Sequence, residues 1–114
     1  MASIKIERLN HIYQEEISMI LMREVKDEEI KFVTITGVEV TSDLSYAKVY
    51  YTVFDPSRRE ETKRALDKAS PFIRRMLASR VEVRHTPEIQ FVYDTSIQYG
   101  EHIDALIDKI HTEG

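Results

Sequence analysis

The stretch Ala65-Leu66-Asp67-Lys68-Ala69-Ser70-Pro71-Phe72-Ile73-Arg74-Arg75-Met76-Leu77 constrains this chain more than any other. At helical spacing, Ala65, Leu66 and Ala69 form one apolar group, and Ile73, Met76 and Leu77 form a second. Pro71 has no amide hydrogen and pushes Ser70 away from α geometry, so the helical ladder is expected to break there. Ser-Pro also suits a helix start, with Ser70 as N-cap and Pro71 at the first helical position. The expectation is two short helices meeting at a joint formed by Ala69, Ser70 and Pro71. Flanked by Lys68, Arg74 and Arg75, such a joint suits a phosphate backbone, because a helix N-terminus offers free amides beside the cations.

Charge distribution supports that reading. The 114 residues carry a net charge of −4, which argues against a nucleic-acid binder until the charges are located. Arg58, Arg59, Lys63, Arg64, Lys68, Arg74, Arg75, Arg80 and Arg84 face only Glu60, Glu61, Asp67 and Glu82 within the same stretch. That stretch carries +5, and the rest of the chain −9. A positive patch on an acidic body is an electrostatic footprint for a polyanion. The same bases could instead form ion-paired helix faces, since Glu60 lies four residues before Arg64. Charge alone leaves both readings open.

The flanking segments read as one α+β domain spanning residues 1–114, with no repeat or linker to divide it. From Ile4 to about Val25, Ile6, Leu9, Ile12, Tyr13, Ile17, Ile20 and Leu21 recur at 3.6-residue spacing, the mark of an amphipathic helix. Asp27-Glu28-Glu29 is an acidic connection with nothing helical after it. A β-branched run from Phe32 to Val40, the turn Thr41-Ser42-Asp43, and an alternating run from Tyr46 to Phe54 predict an antiparallel hairpin. Gly37 marks a bulge or a close backbone contact.

Ser57 and Glu60 have capping-box spacing for the next helix. Pro87 opens a strand in which Ile89, Phe91 and Tyr93 alternate with Gln90 and Val92. A last amphipathic helix is expected at about 96–111. The order predicts a mixed three-stranded sheet with helices on one face, because the second and third strands are joined by a helical crossover.

Chemistry beyond binding has little support. No cysteine is present, which excludes disulfides and thiolate metal sites and fits a reducing compartment. No phosphate loop, nucleophile elbow or His-Glu-x-x-His motif occurs, so neither catalysis nor a cofactor is expected. Asp104, Asp108 and His111 share a helical face, but a solvated last turn explains them better than a metal does. Tyr46, Tyr50 and Tyr51 could stack on bases, although strand tyrosines more often pack. No apolar run suits a signal core or a membrane span, so a cytoplasmic location is expected.

Several segments stand out in order and spacing: Val33-Thr34-Ile35-Thr36-Gly37-Val38-Glu39-Val40, Asp43-Leu44-Ser45-Tyr46-Ala47-Lys48-Val49-Tyr50, the 65–77 stretch, Arg84-His85-Thr86-Pro87-Glu88-Ile89-Gln90-Phe91, and Asp94-Thr95-Ser96-Ile97. Taken together, they resemble the ribosome-binding factor A family over nearly the whole chain. The resemblance implies a type II KH-like fold with an Ala-x-Gly kink between two helices. It implies a non-catalytic factor that binds the small ribosomal subunit and its rRNA late in assembly. A part in 5′-end processing, growth in the cold and partnership with an assembly GTPase come with it.

Here the family's kink glycine is Pro71, so Arg74 and Arg75 are expected to carry more of the binding. The candidate RNA contacts are Arg58, Arg59, Lys63, Arg64, Lys68, Ser70, Arg74, Arg75, Arg80 and Arg84 on a chain expected to be monomeric. The alternative is a protein-interaction module on the same α+β framework that does not bind RNA.

Overall fold

The computed structural model describes residues 2–95. Five main elements follow one another, α1 (Ala2–Arg23), β1 (Val33–Val40), β2 (Tyr46–Val53), α2 (Arg59–Arg80) and β3 (Glu88–Tyr93). The expected helix at 96–111, with Asp104, Asp108 and His111, lies outside the described residues. The sheet order is β1-β2-β3, with β1 and β2 antiparallel and β2 and β3 parallel. This is the mixed α+β arrangement that the element order predicts, and it is consistent with a KH-like fold.

Alternation along the strands sorts the two faces of the sheet. Ala47, Val49 and Tyr51 of β2 are buried beside Ile35, Val38 and Val40 of β1 and Phe91 of β3. Against this face pack Tyr13, Ile17, Ile20 and Leu21 of α1, with Ala65, Leu66, Ile73 and Leu77 of α2. Ile12, placed on the α1 stripe by spacing, sits at its margin and is exposed. The register slips between Ile35 and Gly37, the bulge expected at this glycine. The close backbone contact does not occur, since a Cβ built on Gly37 would meet nothing within 4 Å.

On the far side of β1 from β2, α1 supplies polar partners. The Val40 amide donates to Asn10 Oδ1 at 2.8 Å, and Gln14 Nε2 donates to the Ile35 carbonyl at 3.4 Å. The β1–β2 turn is knotted by side chains. Thr41 Oγ1 donates to Asp43 Oδ1 at 2.8 Å and accepts from the amides of Ser45 and Tyr46. Leu44 adopts φ 62°, a left-handed conformation that a turn can impose on a non-glycine residue.

Three local expectations are corrected. Glu28–Ile30 forms a 3-10 turn, capped by Asp27, where no helical structure was expected after the acidic run. At the start of α2 the capping role expected of Ser57 is not filled, since the N-cap of the helix is Arg58, which makes no side-chain cap bond. Asp55 instead caps a 3-10 turn over Pro56–Arg58 that leads into the helix, its carboxylate accepting from the Ser57 amide at 3.0 Å and hydroxyl at 2.8 Å. The third concerns Pro71. Rather than two helices separated at Ser70, α2 is one helix of 22 residues with Pro71 inside it.

The physical reason lies in the apolar spacing. Leu66 and Ile73 are seven residues apart, about two helical turns, so the two apolar groups lie on one stripe and not on two faces. Leu66, Ile73 and Leu77 are each 0% exposed. Burying three such side chains contributes about 1.5–3 kcal/mol apiece. That outweighs the roughly 3 kcal/mol cost of an internal proline. Ala69-Ser70-Pro71 is therefore a missing rung in one helix, with no new helix N-terminus to offer amides to phosphate.

Candidate nucleic-acid interface

The ten expected contacts, eight of them on α2, stand in quite different situations. Arg64, Lys68, Pro71 and Arg75 follow at spacings of four, three and four residues, and all are exposed or partly exposed. They form an outward stripe opposite the buried one, with Arg64 and Arg75 about 16 Å apart along the axis at 1.5 Å per residue. Among the described residues, Lys68, Arg75 and Arg84 have no ion-pair partner. Arg64 reaches Glu60 at 4.0 Å, with both side chains more than three-quarters exposed. An exposed pair of this kind contributes about 0–1 kcal/mol and exchanges readily for a phosphate. Lys63 pairs with Asp67 at 2.7 Å, likewise on the surface.

The remaining candidates are engaged in holding the fold. Arg58 makes a two-pronged ion pair with Glu29, which ties the start of α2 to the 28–30 turn and raises the Arg58 pKa, first through hydrogen bonding and then through charge. Arg80 reaches Glu16 at 3.4 Å and Glu24 at 3.3 Å, linking the end of α2 to α1. Arg74 donates twice to the Thr86 carbonyl in the loop before β3. The hydroxyl of Ser70 donates to the Leu66 carbonyl at 3.1 Å, a bond within its own helix. Such i−4 back-bonding is common for serine inside helices.

Beside the stripe, a cleft of about 610 Å³ opens between the first turns of α2 and the end of β3. Its walls include Tyr51, Arg59, Lys63, Arg64 and Tyr93. Arg59 lies over the Tyr93 ring, its guanidinium carbon 3.8 Å from the ring centroid. Tyr51 is 1% exposed, and burial raises its pKa despite the opposing charge of Arg59. It is therefore a packing residue. Tyr50 is half-buried on the other sheet face and donates to Glu39 at 3.3 Å. Of the three tyrosines considered for stacking, Tyr46 alone is exposed.

Two features were missed in the sequence. Tyr93 was assigned only to the core alternation, and its pairing with Arg59 bridges residues 34 positions apart. Phe32 and Phe54 are exposed by 64% and 84% and face each other with ring centroids 5.9 Å apart. Their positions just outside the strand ends were the available signal. Among the described residues, no group of three or more His, Asp or Glu side chains could hold a metal, and no helix is long and apolar enough to cross a membrane.

A mixed three-stranded sheet, two helices on one of its faces and a cationic outer stripe define a small KH-like α+β domain with a surface suited to polyanions. The chain belongs to the ribosome-binding factor A family, whose model matches residues 5–107. It is 44% identical over 110 residues to ribosome-binding factor A of Halothermothrix orenii, covering 96% of this chain and 90% of that one.

The crystal structure of ribosome-binding factor A from Thermus thermophilus superposes with a TM-score of 0.71 at 24% identity, covering 77% of this chain and 94% of that one, and shares the fold. A homology model of the Thermus thermophilus factor, fitted into a cryo-EM map of a 30S–RbfA complex, aligns with a TM-score of 0.56 at 25% identity. It covers 79% of this chain and 91% of that one.

Proposed function

We propose that this chain is a non-catalytic assembly factor that binds the small ribosomal subunit through phosphates of its rRNA. The single observation that carries the reading is the unbroken outward stripe of Arg64, Lys68 and Arg75 on α2, two of whose cations have no acidic partner among the described residues. Family membership and the 30S complex of the Thermus relative support the choice of target. On this reading the factor acts in the cytoplasm as a monomer on late precursors of the subunit. It assists 5′-end processing of 16S rRNA, and an assembly GTPase acts beside it. Arg84 and the exchangeable Arg64 and Lys63 extend the contact, whereas Arg58, Arg74 and Arg80 serve the fold that presents it.

Recognition of this kind is governed by counterion release, so affinity should fall steeply as salt rises. Purified small subunits and precursor particles are titrated with the protein at several salt concentrations. The reading predicts tighter binding to precursors, a negative slope of log affinity against log salt, and a shallower slope when Lys68 and Arg75 are changed to Gln. Salt-independent binding, or a double variant that binds like the parent, would remove the stripe as the RNA surface. Persistence of a protein partner after nuclease treatment, with no subunit association, would favour the interaction-module alternative.

A further inference from the structure

We infer that Arg59, whose guanidinium sits over the ring of Tyr93, is a stacking platform for an unpaired nucleobase of single-stranded RNA in the cleft between α2 and β3. The inference rests on the RNA-binding reading above and narrows it, because it names the kind of RNA that the cleft receives. Three observations carry it.

The first is the rigidity of the platform. Arg59 covers Tyr93 at 3.8 Å, and Tyr93 meets Tyr51 edge-on at 90° with centroids 5.6 Å apart. Tyr51 is buried and meets Phe91 at 81° in the same way. The guanidinium plane is thus anchored through two rings to the core, although Arg59 itself is exposed. A planar cation fixed in this way loses little freedom when a second flat group settles on its outer side.

The second is charge. Arg58, Lys63, Arg64 and Arg80 each have a carboxylate partner, but among the described residues Arg59 has none. A clamp between helix and strand would work equally well with an acid beside it. An uncompensated cation facing a cleft leaves attraction to spare for an incoming polyanion.

The third is the setting. The cleft of about 610 Å³ is of the size that accepts a small planar ligand. Lys63 and Arg64 stand on its rim, in surface ion pairs weak enough to yield to phosphate. A base placed on Arg59 therefore has cations within reach of its own backbone. Bases in an A-form duplex are already stacked on their neighbours, so only an unpaired nucleotide can fill this site.

The test uses the full chain and an RNA single strand of about eight nucleotides, longer than the roughly four that a KH module clamps. Affinity is measured at several salt concentrations for this strand and for its duplex with the complementary strand. Arg59→Lys keeps the charge and removes the plane. It should weaken single-strand binding roughly tenfold, as loss of one base stack does, without changing the salt slope or duplex affinity. Independently of any variant, a 2-aminopurine placed in the strand should change in fluorescence when the parent protein binds.

Arg59→Lys binding the single strand as well as the parent, or 2-aminopurine that does not respond at any position, would overturn the platform. If Lys68 and Arg75 substitutions still weakened binding in that case, the wider RNA reading would stand. Failure of either RNA to bind at any salt would remove both.

Discussion

The guanidinium of Arg74 donates to the backbone carbonyl of Thr86 from two nitrogens, Nε at 3.1 Å and Nη2 at 2.8 Å. Its neighbour Arg75 points outward with no ion-pair partner among the described residues. Two adjacent arginines of the same expected role thus do different work, one fastening the loop before β3 and the other facing solvent.

That division is measurable. Arg74→Ala leaves a half-buried carbonyl without its charged donor and should lower stability by about 1–3 kcal/mol in urea denaturation. Arg75→Ala should stay within about 0.5 kcal/mol of the parent. Binding to small subunits should rank the pair the other way, with Arg75→Ala reducing the salt slope by about 1 and Arg74→Ala leaving it unchanged.

Pro71→Ala separates a continuous helix from an elbow. Alanine restores the amide that can donate to the Asp67 carbonyl and relieves the ring's clash with that turn, at the cost of a less restricted unfolded chain. The net effect should be a gain of about 1–3 kcal/mol in urea denaturation. Subunit affinity should be retained, since Arg64, Lys68 and Arg75 keep their places. Loss of binding in this variant would mean that the bend, and not the stripe, is what RNA recognises.

Asp43 makes the β1–β2 turn sensitive to acid. Hydrogen bonds from Ser45 and Thr41 lower its pKa to about 2. A carboxyl near the usual 3.9 in the unfolded chain therefore ionises later there than in the folded one. The folded state gains stability from this group above about pH 4 and loses it as pH falls towards 2. Asp43→Asn should be less stable than the parent at pH 7. The gap should narrow between pH 4 and 2 when melting temperatures are compared across that range.

Tyr13 is 0% exposed, and its hydroxyl has no hydrogen-bond partner among the described residues. Burial raises its pKa, as expected where a charged phenolate would be desolvated. Tyr13→Phe keeps the ring and removes an unsatisfied polar atom. It should be neutral or stabilising by up to about 1 kcal/mol. Tyr13→Ala should cost about 3–5 kcal/mol, because it empties the centre of the α1 contact. Denaturation of the two variants side by side checks both signs.

The sheet was legible because its information is local. Alternation in Tyr46–Val53 and Ile89–Tyr93 assigns each side chain to a face, and Gly37 marked the bulge. The path of α2 was not, because the local rule for Pro71 and the long-range burial of Leu66, Ile73 and Leu77 pull in opposite directions, and burial is larger. Ser57 does not cap α2 because Asp55 engages both its amide and its hydroxyl and caps a 3-10 turn over Pro56–Arg58 ahead of the helix.

The candidate site was legible as a concentration of charge but not as a surface. The break expected at Pro71 put Arg75 on a separate helix from Arg64 and Lys68, which hid the stripe that the continuous α2 brings together. The partners that withdraw Arg58, Arg74 and Arg80 are Glu29, Thr86, Glu16 and Glu24, between 12 and 64 residues away in the chain.

Asn10 and Gln14 of α1 have a consequence beyond stability. By bonding to Val40 and Ile35, they occupy backbone groups that would otherwise invite a foreign strand to join β1. The protein is thereby shielded along that border from recruiting its own copies into a growing ribbon. Peeling α1 away would unmask a template for aggregation before the hairpin itself had come apart.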